Sequence, residues 1–347
     1  MKDIRKIKNE EIIRFMEEVG EKKFKAKQLN EWLWKKGVHS FNEMLNLSLE
    51  LRQKLTSNFL LEHLSISDKF ESRDGTIKFL FSLPDKQFIE GVLIPADKRV
   101  TACISSQVGC PLNCSFCATG QGGFSRNLHF TEIYDQFLLM NKESIETYQR
   151  EISNIVFMGM GEPLLNYEQV LQAIELLTST QGQGWSPSRI TLSTVGIVEK
   201  IRQLADDHVK VGLAVSLHVA DPEKRLRLMP VTASNPLPEL QKALQYYASE
   251  TGNRVSIEYL LLDEINNSIQ DADNLLRFCK VFPVKINLIE YNSTDARFRK
   301  SPPQKTSAFM EYLEQKNLIV TMRQSRGDDI AAACGQLAAK RVRMNIK

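Results

Sequence analysis

The spacing of apolar side chains changes twice along the chain, and each stretch predicts a different structure. Residues 1–60 have the helical period, in which apolar positions recur every three or four residues. Three helices are predicted there, one carrying Ile12 and Met16, one over Ala26–Lys36 and one over Leu49–Asn58. We therefore expect a small helical module over residues 1–60.

Residues 61–96 change to the alternating period of β-strands. The candidate strands are Ile77–Leu83 and Phe88–Ile94, and Pro84-Asp85-Lys86 supplies a turn between them. We expect a short antiparallel β meander here. Glu90 lies in the second strand, where a carboxylate ordinarily faces solvent.

From residue 97 to residue 330, segments of strand length alternate with segments of helical period. Repeated βα units predict a parallel sheet with helices outside it. Right-handed crossovers would curl it into a full or partial (β/α) barrel, with its chemistry at the carboxyl ends of the strands. The candidate strands are Thr101–Ser105, Ile152–Met158, Arg189–Ser193, Val211–Leu217, Arg254–Leu261, Lys285–Glu290 and Leu318–Arg323. The candidate helices are Thr131–Lys142, Tyr167–Ser179, Val198–Asp206, Pro238–Thr251 and Asp271–Val281.

Composition narrows the class of protein. The chain has 347 residues, of which 42% are hydrophobic and 25% charged, as in ordinary soluble proteins. It has no apolar run of membrane-spanning length, and its start, Met1–Lys6, lacks the apolar core of a signal peptide. We therefore expect no membrane partner and a cytoplasmic location, where thiols stay reduced. The formal net charge of +3 does not by itself indicate a nucleic-acid-binding protein.

Three of the six cysteines, Cys110, Cys114 and Cys117, lie together at C-x3-C-x2-C spacing. A [4Fe–4S] cluster usually takes four thiolates, so three on one loop leave one iron open to a small-molecule ligand. The alternatives are a zinc site, a disulfide-bonded loop or chance. Zinc sites usually show paired C-x2-C motifs or a Cys/His quartet, and no fourth ligand is near in sequence. The spacing therefore favours an iron–sulfur cluster.

Polar or glycine-rich residues follow several of the predicted barrel strands. Gly161 and Glu162 follow one of them, where a glycine lets a ligand approach the backbone and a carboxylate can bind an ammonium group. Later strands end in Ser193, in Ser216-Leu217-His218 and in Tyr291-Asn292. Each alone is more often a loop or cap residue. Around a ring of strand ends, they predict a pocket for a polar ligand.

A basic cluster lies in the helical module. It comprises Lys22, Lys23, Lys25, Lys27, Lys35 and Lys36, beside Trp32 and Trp34. One interpretation is a solvated lysine-rich face, and the other is a surface that contacts RNA phosphates. At the other end of the chain, a frayed basic tail and phosphate contacts are both open for Lys340, Arg341, Arg343 and Lys347.

Several stretches of the sequence match one known family. They are Ser105–Cys110, Cys117–Gly120, Phe124–Leu128, Met158–Leu165, Ser216–His218, Arg326–Ile330 and Ala332–Leu337. In these stretches the chain resembles the radical S-adenosylmethionine (SAM) adenine-C2 methyltransferases that modify 23S rRNA and tRNA. The resemblance implies an α/β fold with a partial (β/α)6-type radical-SAM barrel over residues 97–330 and a C-terminal segment over residues 331–347. It also implies a [4Fe–4S] cluster on Cys110, Cys114 and Cys117.

The activity that the resemblance implies is methylation of carbon 2 of adenosine, with two SAM molecules per turnover. One SAM methylates Cys334, and the second is cleaved to a radical at the cluster. The methyl-derived carbon passes to the base, and Cys103 releases the product by forming a transient disulfide with Cys334. Glu90 matches the residue assigned as proton acceptor, and Cys103 stays open as the alternative. By themselves, Cys103 and Cys334 would be interpreted as buried thiols.

The resemblance also implies a set of SAM-binding residues and several partners. The SAM-binding residues are Gly161, Glu162, Ser193, Ser216, Leu217, His218 and Asn292. Gly161 and Glu162 are expected at the amino end of SAM, and Asn292 near its adenosyl part. The expected partners are 23S rRNA, tRNA and an external one-electron reductant of the flavodoxin type. We expect the protein to be a monomer.

Two other functions stay open on the sequence alone. An antibiotic-resistance sibling methylates carbon 8 of the same rRNA adenosine, but it tends to carry Ala in place of Pro163 and departs from the run Arg326–Asp329. Both features favour carbon 2. A non-catalytic Fe–S protein that binds RNA or senses redox state would bind the cluster without cleaving SAM. Cys279 matches no catalytic position, and we interpret it as a core residue.

Overall fold

The computed structural model of the protein describes residues 1–339, so the predicted basic tail of Lys340, Arg341, Arg343 and Lys347 lies outside the described residues. The three predicted amino-terminal helices are confirmed. They are α1 (Asn9–Glu18), α2 (Phe24–Asn30), which a π-helical turn extends over Glu31–Lys36, and α3 (Leu49–Asn58). A parallel pair of short strands, β1 (Lys2–Asp3) and β2 (Phe59–Leu60), joins the ends of this module. The module has its own core, in which Leu29, Leu33, Leu51 and Leu55 are buried.

The antiparallel meander is also present, with one strand more than predicted. It consists of β3 (Ser65–Glu71), β4 (Ile77–Ser82) and β5 (Phe88–Ala96). Strand β3 was not predicted because nearly all of its side chains are exposed, which leaves no apolar alternation in the sequence. The next strand, β6 (Arg99–Cys103), pairs antiparallel with β5 and parallel with β9 (Asn154–Phe157). It therefore joins the meander to the parallel part of the sheet.

The predicted row of parallel strands is confirmed. After β6, a hairpin of β7 (Gln107–Gly109) and β8 (Phe124–Asn127) flanks the cysteine loop. The further parallel strands are β9, β10 (Ile190–Thr194), β11 (Gly212–Ser216), β12 (Val255–Leu261), β13 (Val284–Glu290) and β14 (Val320–Arg323). One ten-stranded sheet runs in the order β14-β13-β12-β11-β10-β9-β6-β5-β4-β3. The α/β fold class is thus confirmed, and the predicted strand Leu318–Arg323 is present as β14, one strand beyond a six-stranded set that ends at β13.

Helices follow the strands as a βα repeat requires. They are α4 (Ala118–Gln121), α5 (Phe130–Tyr148), α6 (Tyr167–Thr178), α7 (Val198–Asp206), α8 (Pro222–Leu228), α9 (Leu237–Thr251), α10 (Ile269–Cys279) and α11 (Pro303–Gln315). Three helices, α4, α8 and α11, were not among the predicted ones. The first two are short, and α11 buries only Phe309 and Leu313 and so shows a weak apolar face. Cys279 is fully buried in the main core, as expected. Within residues 1–339, no helix is both long and apolar enough to cross a membrane.

The helical module docks on α5 through buried charges and aromatic rings. The Arg5 guanidinium lies 2.6 Å from the Asp135 carboxylate, and both side chains are almost fully buried. The Trp34 ring contacts Phe130 and Tyr134, with 5.9 Å between ring centroids in each pair. Because the Trp34 carbonyl also accepts a hydrogen bond from the Tyr134 hydroxyl, Trp34 belongs to this interface rather than to an open surface.

Candidate active site

Most of the predicted site residues lie around one cavity of about 380 Å³, into which the carboxyl ends of the parallel strands open. Those that line it are Cys103, Cys110, Cys114, Cys117, Gly161, Glu162, Ser193, Ser216, His218, Asn292 and Cys334. Glu90 and Leu217 are the two predicted site residues that are not among the lining residues. A parallel sheet gathers its strand ends at one edge, which explains why residues so distant in sequence meet here.

The cysteine loop lies between β7 and α4. Cys114 is buried and Cys110 and Cys117 are partly buried, and all three are free thiols, which does not fit a disulfide-bonded loop. Burial raises the pKa of Cys110 to about 12 and also raises the pKa values of Cys114 and Cys117. A buried thiolate is costly without a positive partner. The loop is therefore suited to thiolates that are stabilised by a bound cation.

The arrangement fits an iron–sulfur cluster better than a zinc ion. Among residues 1–339, no three His, Cys, Asp or Glu side chains are close enough to share one metal ion. A structural zinc ion needs four ligands around one centre, whereas each iron of a [4Fe–4S] cluster takes its own thiolate. Cys110, Cys114 and Cys117 all line this one cavity, as three ligands of one shared cluster require.

Gly161 and Glu162 follow β9 and form one wall of the cavity. Gly161 has a φ of +98°, and a Cβ atom there would lie 2.5 Å from the Cβ of Gln107, so only glycine fits. The Glu162 carboxylate accepts hydrogen bonds from the backbone N–H groups of Leu164, at 3.1 Å, and Val195, at 2.8 Å. Burial nevertheless raises the pKa of Glu162 to about 7. A bound ammonium group would favour its ionised form.

His218 lies just beyond the end of β11, in the left-handed conformation with a φ of 57°. Its Nδ1 atom accepts a hydrogen bond from the backbone N–H of Leu260 at 3.1 Å. Burial and the nearby Arg225 guanidinium lower the pKa of His218 to about 3. The ring is therefore neutral, and with Nδ1 as the acceptor its proton is on Nε2, where it can be donated to a ligand.

Cys103 and Cys334 reach the cavity from opposite ends of the sequence. Cys103 is the last residue of β6, paired with Val92 on β5. Cys334 lies in the C-terminal loop, whose Gly335 carbonyl accepts a hydrogen bond from Ala118 N at 2.8 Å. Burial raises the pKa of Cys103 to about 12, and Cys334 is near enough to contribute to this rise. The fold thus places both thiols beside the cysteine triad.

Asn292 connects the predicted SAM site to the C-terminal loop. Its Nδ2 atom donates a hydrogen bond to the Cys334 carbonyl at 3.3 Å, and its side chain is buried in the cavity wall. Ser193 and Ser216 lie at the ends of β10 and β11, between Glu162 and His218 in strand order. Glu162, Ser193, Ser216 and His218 thus line the ends of three neighbouring strands, β9, β10 and β11. An extended polar ligand could contact all of them.

Glu90 and Leu217, the two predicted site residues that do not line the cavity, are both buried beside it or in the core. Glu90 is buried, with Oε1 3.4 Å from the Lys78 ammonium and Oε2 accepting a hydrogen bond from Ala338 N at 2.8 Å. Leu217 is fully buried in the main core, so a contact with SAM would have to come from its backbone. The role of Glu90 as a proton acceptor stays a prediction.

Sequence reasoning missed two charged residues of the cavity, Arg323 and Glu258. The Arg323 guanidinium lies 3.8 Å from the Glu258 carboxylate and 3.3 Å from the sulfur of Met158. Arg323 also opposes the rise in the pKa of Cys103, which places its positive charge beside the thiol pair. An acid inside the mostly apolar strand β12 was the available signal for Glu258. Arg323 gave none, because arginine at a strand end is common.

Comparison with known proteins agrees with this site. The model of the ribosomal RNA large subunit methyltransferase N-terminal domain matches residues 2–61, and that of the radical SAM superfamily matches residues 104–278. A probable dual-specificity RNA methyltransferase RlmN of Christiangramia forsetii is 48% identical, over 98% of this chain and 97% of that protein. The protein of the same name from Thermotoga neapolitana is 42% identical, over 98% of each chain.

One solved structure is similar over the full length. It is a radical SAM methyltransferase from Sphaerobacter thermophilus, 36% identical, with a TM-score of 0.92 over 98% of this chain and 100% of that one. Sequence and structure comparisons thus agree over both the helical module and the barrel. The chain belongs to the RlmN family of dual-specificity RNA methyltransferases, within the radical SAM superfamily.

Proposed function

We propose that this protein methylates carbon 2 of adenine in RNA, with 23S rRNA and tRNA as substrates, through a methyl group carried on Cys334. The observation that carries the proposal is the meeting of Cys103 and Cys334 at the cavity that the cysteine triad lines. Carbon 2 of adenine is electrophilic and cannot attack SAM directly. A carrier thiol and a radical step are what such a carbon needs.

The cluster, when bound by Cys110, Cys114 and Cys117, supplies an electron that cleaves a SAM molecule. The chain's own residues perform the other steps. The Cys334 thiolate attacks the methyl carbon of one SAM molecule, which forms a new C–S bond, breaks the methyl–sulfonium bond and releases S-adenosylhomocysteine. After that carbon has lost a hydrogen to the radical derived from the second SAM and has bonded to carbon 2 of the base, the Cys103 thiolate attacks the Cys334 sulfur. This attack forms the S–S bond, breaks the C–S bond and leaves the carbon on the base. An external two-electron reduction of the disulfide restores both thiols.

Several cavity residues are suited to hold SAM. The ionised Glu162 carboxylate attracts its amino end, and the absent side chain of Gly161 leaves room for close approach. Neutral His218 can donate from Nε2 to an oxygen of SAM. Arg323 opposes the rise in the pKa of Cys103 and so favours its thiolate form, which the disulfide step requires. Either Glu90 or Cys103 takes the carbon-2 proton.

The helical module is the proposed RNA-binding surface. Lys22, Lys27 and Lys35 are exposed, and among the described residues none of them pairs with a carboxylate. Free lysines suit phosphate contacts, and the target base must leave its stack to reach the cavity. A flavodoxin-type protein would supply electrons one at a time. We propose that the enzyme acts as a monomer in the cytoplasm.

The direct test is a nucleoside digest. Reconstituted protein is incubated anaerobically with SAM, a reductant and either 23S rRNA or tRNA that lacks the modification. The digest should contain 2-methyladenosine with the native chain and with Cys279→Ala, and none with Cys334→Ala. Finding 8-methyladenosine would assign the carbon-8 reaction instead. Cluster binding without 5′-deoxyadenosine would indicate a non-catalytic Fe–S protein.

A further inference from the structure

Lys78 is a buried cation outside the cavity for which the mechanism above has no use. It lies on β4, and its side chain is only 8% exposed. Its ammonium group is 3.4 Å from Glu90 Oε1 and 3.2 Å from the Ala331 carbonyl oxygen. The Phe70 ring lies 5.3 Å from the same ammonium group. A buried ammonium is costly unless its donors are satisfied, so these contacts together fix where the group lies.

The two partners of Lys78 lead to opposite ends of one loop. Ala331 lies three residues before Cys334, and Lys78 binds its carbonyl group directly. Ala338 lies four residues after Cys334, and its N–H group donates to Glu90 Oε2 at 2.8 Å. The buried Lys78–Glu90 pair thus contacts the loop on both sides of the proposed methyl carrier.

Sheet geometry puts this pair on the same face as the second thiol. Lys78 is directly opposite Val92, and Val92 is directly opposite Cys103. Directly opposed residues of neighbouring strands point to the same side of a sheet, and Glu90 shares that side because it lies two residues from Val92. The pair therefore supports the Cys334 loop from the face that carries Cys103.

We propose that Lys78 is a positioning residue that, with Glu90, clamps the loop Ala331–Ala338 and so holds Cys334 opposite Cys103. The proposal rests on the proposed function for its catalytic meaning, although the clamp itself is a property of the fold. Lys78 touches neither substrate nor cofactor. It acts by binding Ala331 and by keeping the Glu90 carboxylate in place for Ala338.

Hydrogen exchange measures the clamp without any turnover. In the reconstituted full chain with Lys78→Met, the amide hydrogens of Ala331–Ala338 should exchange about tenfold faster than in the native chain, because local opening of the loop becomes easier. Lys78→Arg, which keeps a buried cation, should restore most of the protection. Lys69→Met removes a partly exposed lysine of the neighbouring strand β3 and is the matched control, with native exchange in this loop. Native exchange in Lys78→Met would overturn the proposal.

A second variant covers the case in which Lys78→Met does not fold because Glu90 is left unpaired. Lys78→Met with Glu90→Gln removes both charges and keeps an amide oxygen for Ala338. It should still lose protection of Ala331, and unchanged protection there would contradict the clamp. Where Lys78→Met alone folds, with Glu90 intact, the ratio of 2-methyladenosine to 5′-deoxyadenosine should fall about tenfold, because SAM is cleaved while Cys334 is misplaced. A native ratio would contradict the positioning role.

The two proposals fail in different ways. If the native chain makes no 2-methyladenosine while Lys78→Met loosens the loop, the proposed function is wrong and the clamp stands. If the native chain makes the product and the loop exchanges equally in both proteins, the clamp is wrong and the function stands.

Discussion

Burial sets the protonation states of the polar side chains around the cavity. Glu162 and His218 are both buried, and burial disfavours the charged form of each. The pKa of Glu162 therefore rises to about 7, and that of His218 falls to about 3. At neutral pH the imidazole is neutral, whereas the carboxyl group is close to its midpoint. A cationic ligand can thus change the ionisation of Glu162 but not that of His218.

Glu162 gives a pH-dependent prediction. Its folded-state pKa of about 7 lies above its ordinary value of 4.5, so the native fold loses stability as the pH rises between these values. Glu162→Gln removes this loss. The stability of the variant relative to the native apoprotein should therefore increase by about 3 kcal/mol between pH 4 and pH 8, in urea denaturation. Glu239→Gln, at an exposed ion pair with Lys242, should show no such increase. If the stability difference between Glu162→Gln and the native apoprotein did not change with pH, the raised pKa of Glu162 would be contradicted.

Individual site residues could be predicted from the sequence where their type and spacing were unusual. The cysteine triad, Gly161 and Glu162 could be placed at one site because they follow strand ends. The surroundings of Glu90 could not be predicted, because they depend on Lys78 across the sheet and on a loop almost 250 residues away. Resemblance to a family supplied a role for Glu90 that its strand position alone did not suggest.

The C-terminal loop shows how one element is fixed by many small contacts. The Asp74 carboxylate in the β3–β4 turn accepts a hydrogen bond from Gly327 N at 3.1 Å, and the Asp329 carboxylate accepts one from the Ser72 hydroxyl at 2.6 Å. Farther along, the Thr119 hydroxyl donates to the Leu337 carbonyl at 2.5 Å. The Arg326–Ile330 motif thus docks the loop on the meander, next to the cysteine loop. No periodicity in the sequence indicates this docking.

The helical module gives a prediction about RNA. Replacing Lys22, Lys27 and Lys35 by alanine should weaken RNA binding and reduce the slope of log affinity against log salt by about 2 to 3, roughly one counterion for each lost phosphate contact. Filter binding at several salt concentrations measures both. Lys242, Lys280 and Lys316, which lie on the barrel outside the cavity lining, provide the control triple substitution with an unchanged slope. Equal slopes for the two triple variants would favour the solvated-face interpretation.

Elements with an amphipathic pattern could be predicted, and those without one were missed. The long helices and the parallel strands bury one face or both, so their periods are visible in the sequence. Strand β3 and helix α11 bury few side chains and gave no such signal. Trp34 shows a further limit, since its place beside the lysine cluster suggested an RNA surface, whereas it packs against α5.

At the scale of the whole molecule, the fold joins two ends of the chain at one cavity. Cys103 ends the first parallel strand, and Cys334 follows the last one, so the sheet order places them at opposite ends of the parallel row. The loop after β14 brings Cys334 back over β5 and β6, where the meander and α4 hold it. Spacing in the sequence cannot show this return. It is the feature that turns a cluster-binding barrel into the proposed carbon-transfer site.

The most direct test of the account is the fate of RNA with Cys103→Ala. Without Cys103, no thiol can displace the carbon from the Cys334 sulfur, so the reconstituted variant should accumulate protein covalently joined to RNA. A denaturing gel shows the adduct, and mass spectrometry of a digest locates it on Cys334. Cys334→Ala should give no adduct, and Cys279→Ala should turn over as the native chain does. Repeated turnover to free 2-methyladenosine RNA by Cys103→Ala, without an adduct, would contradict the account.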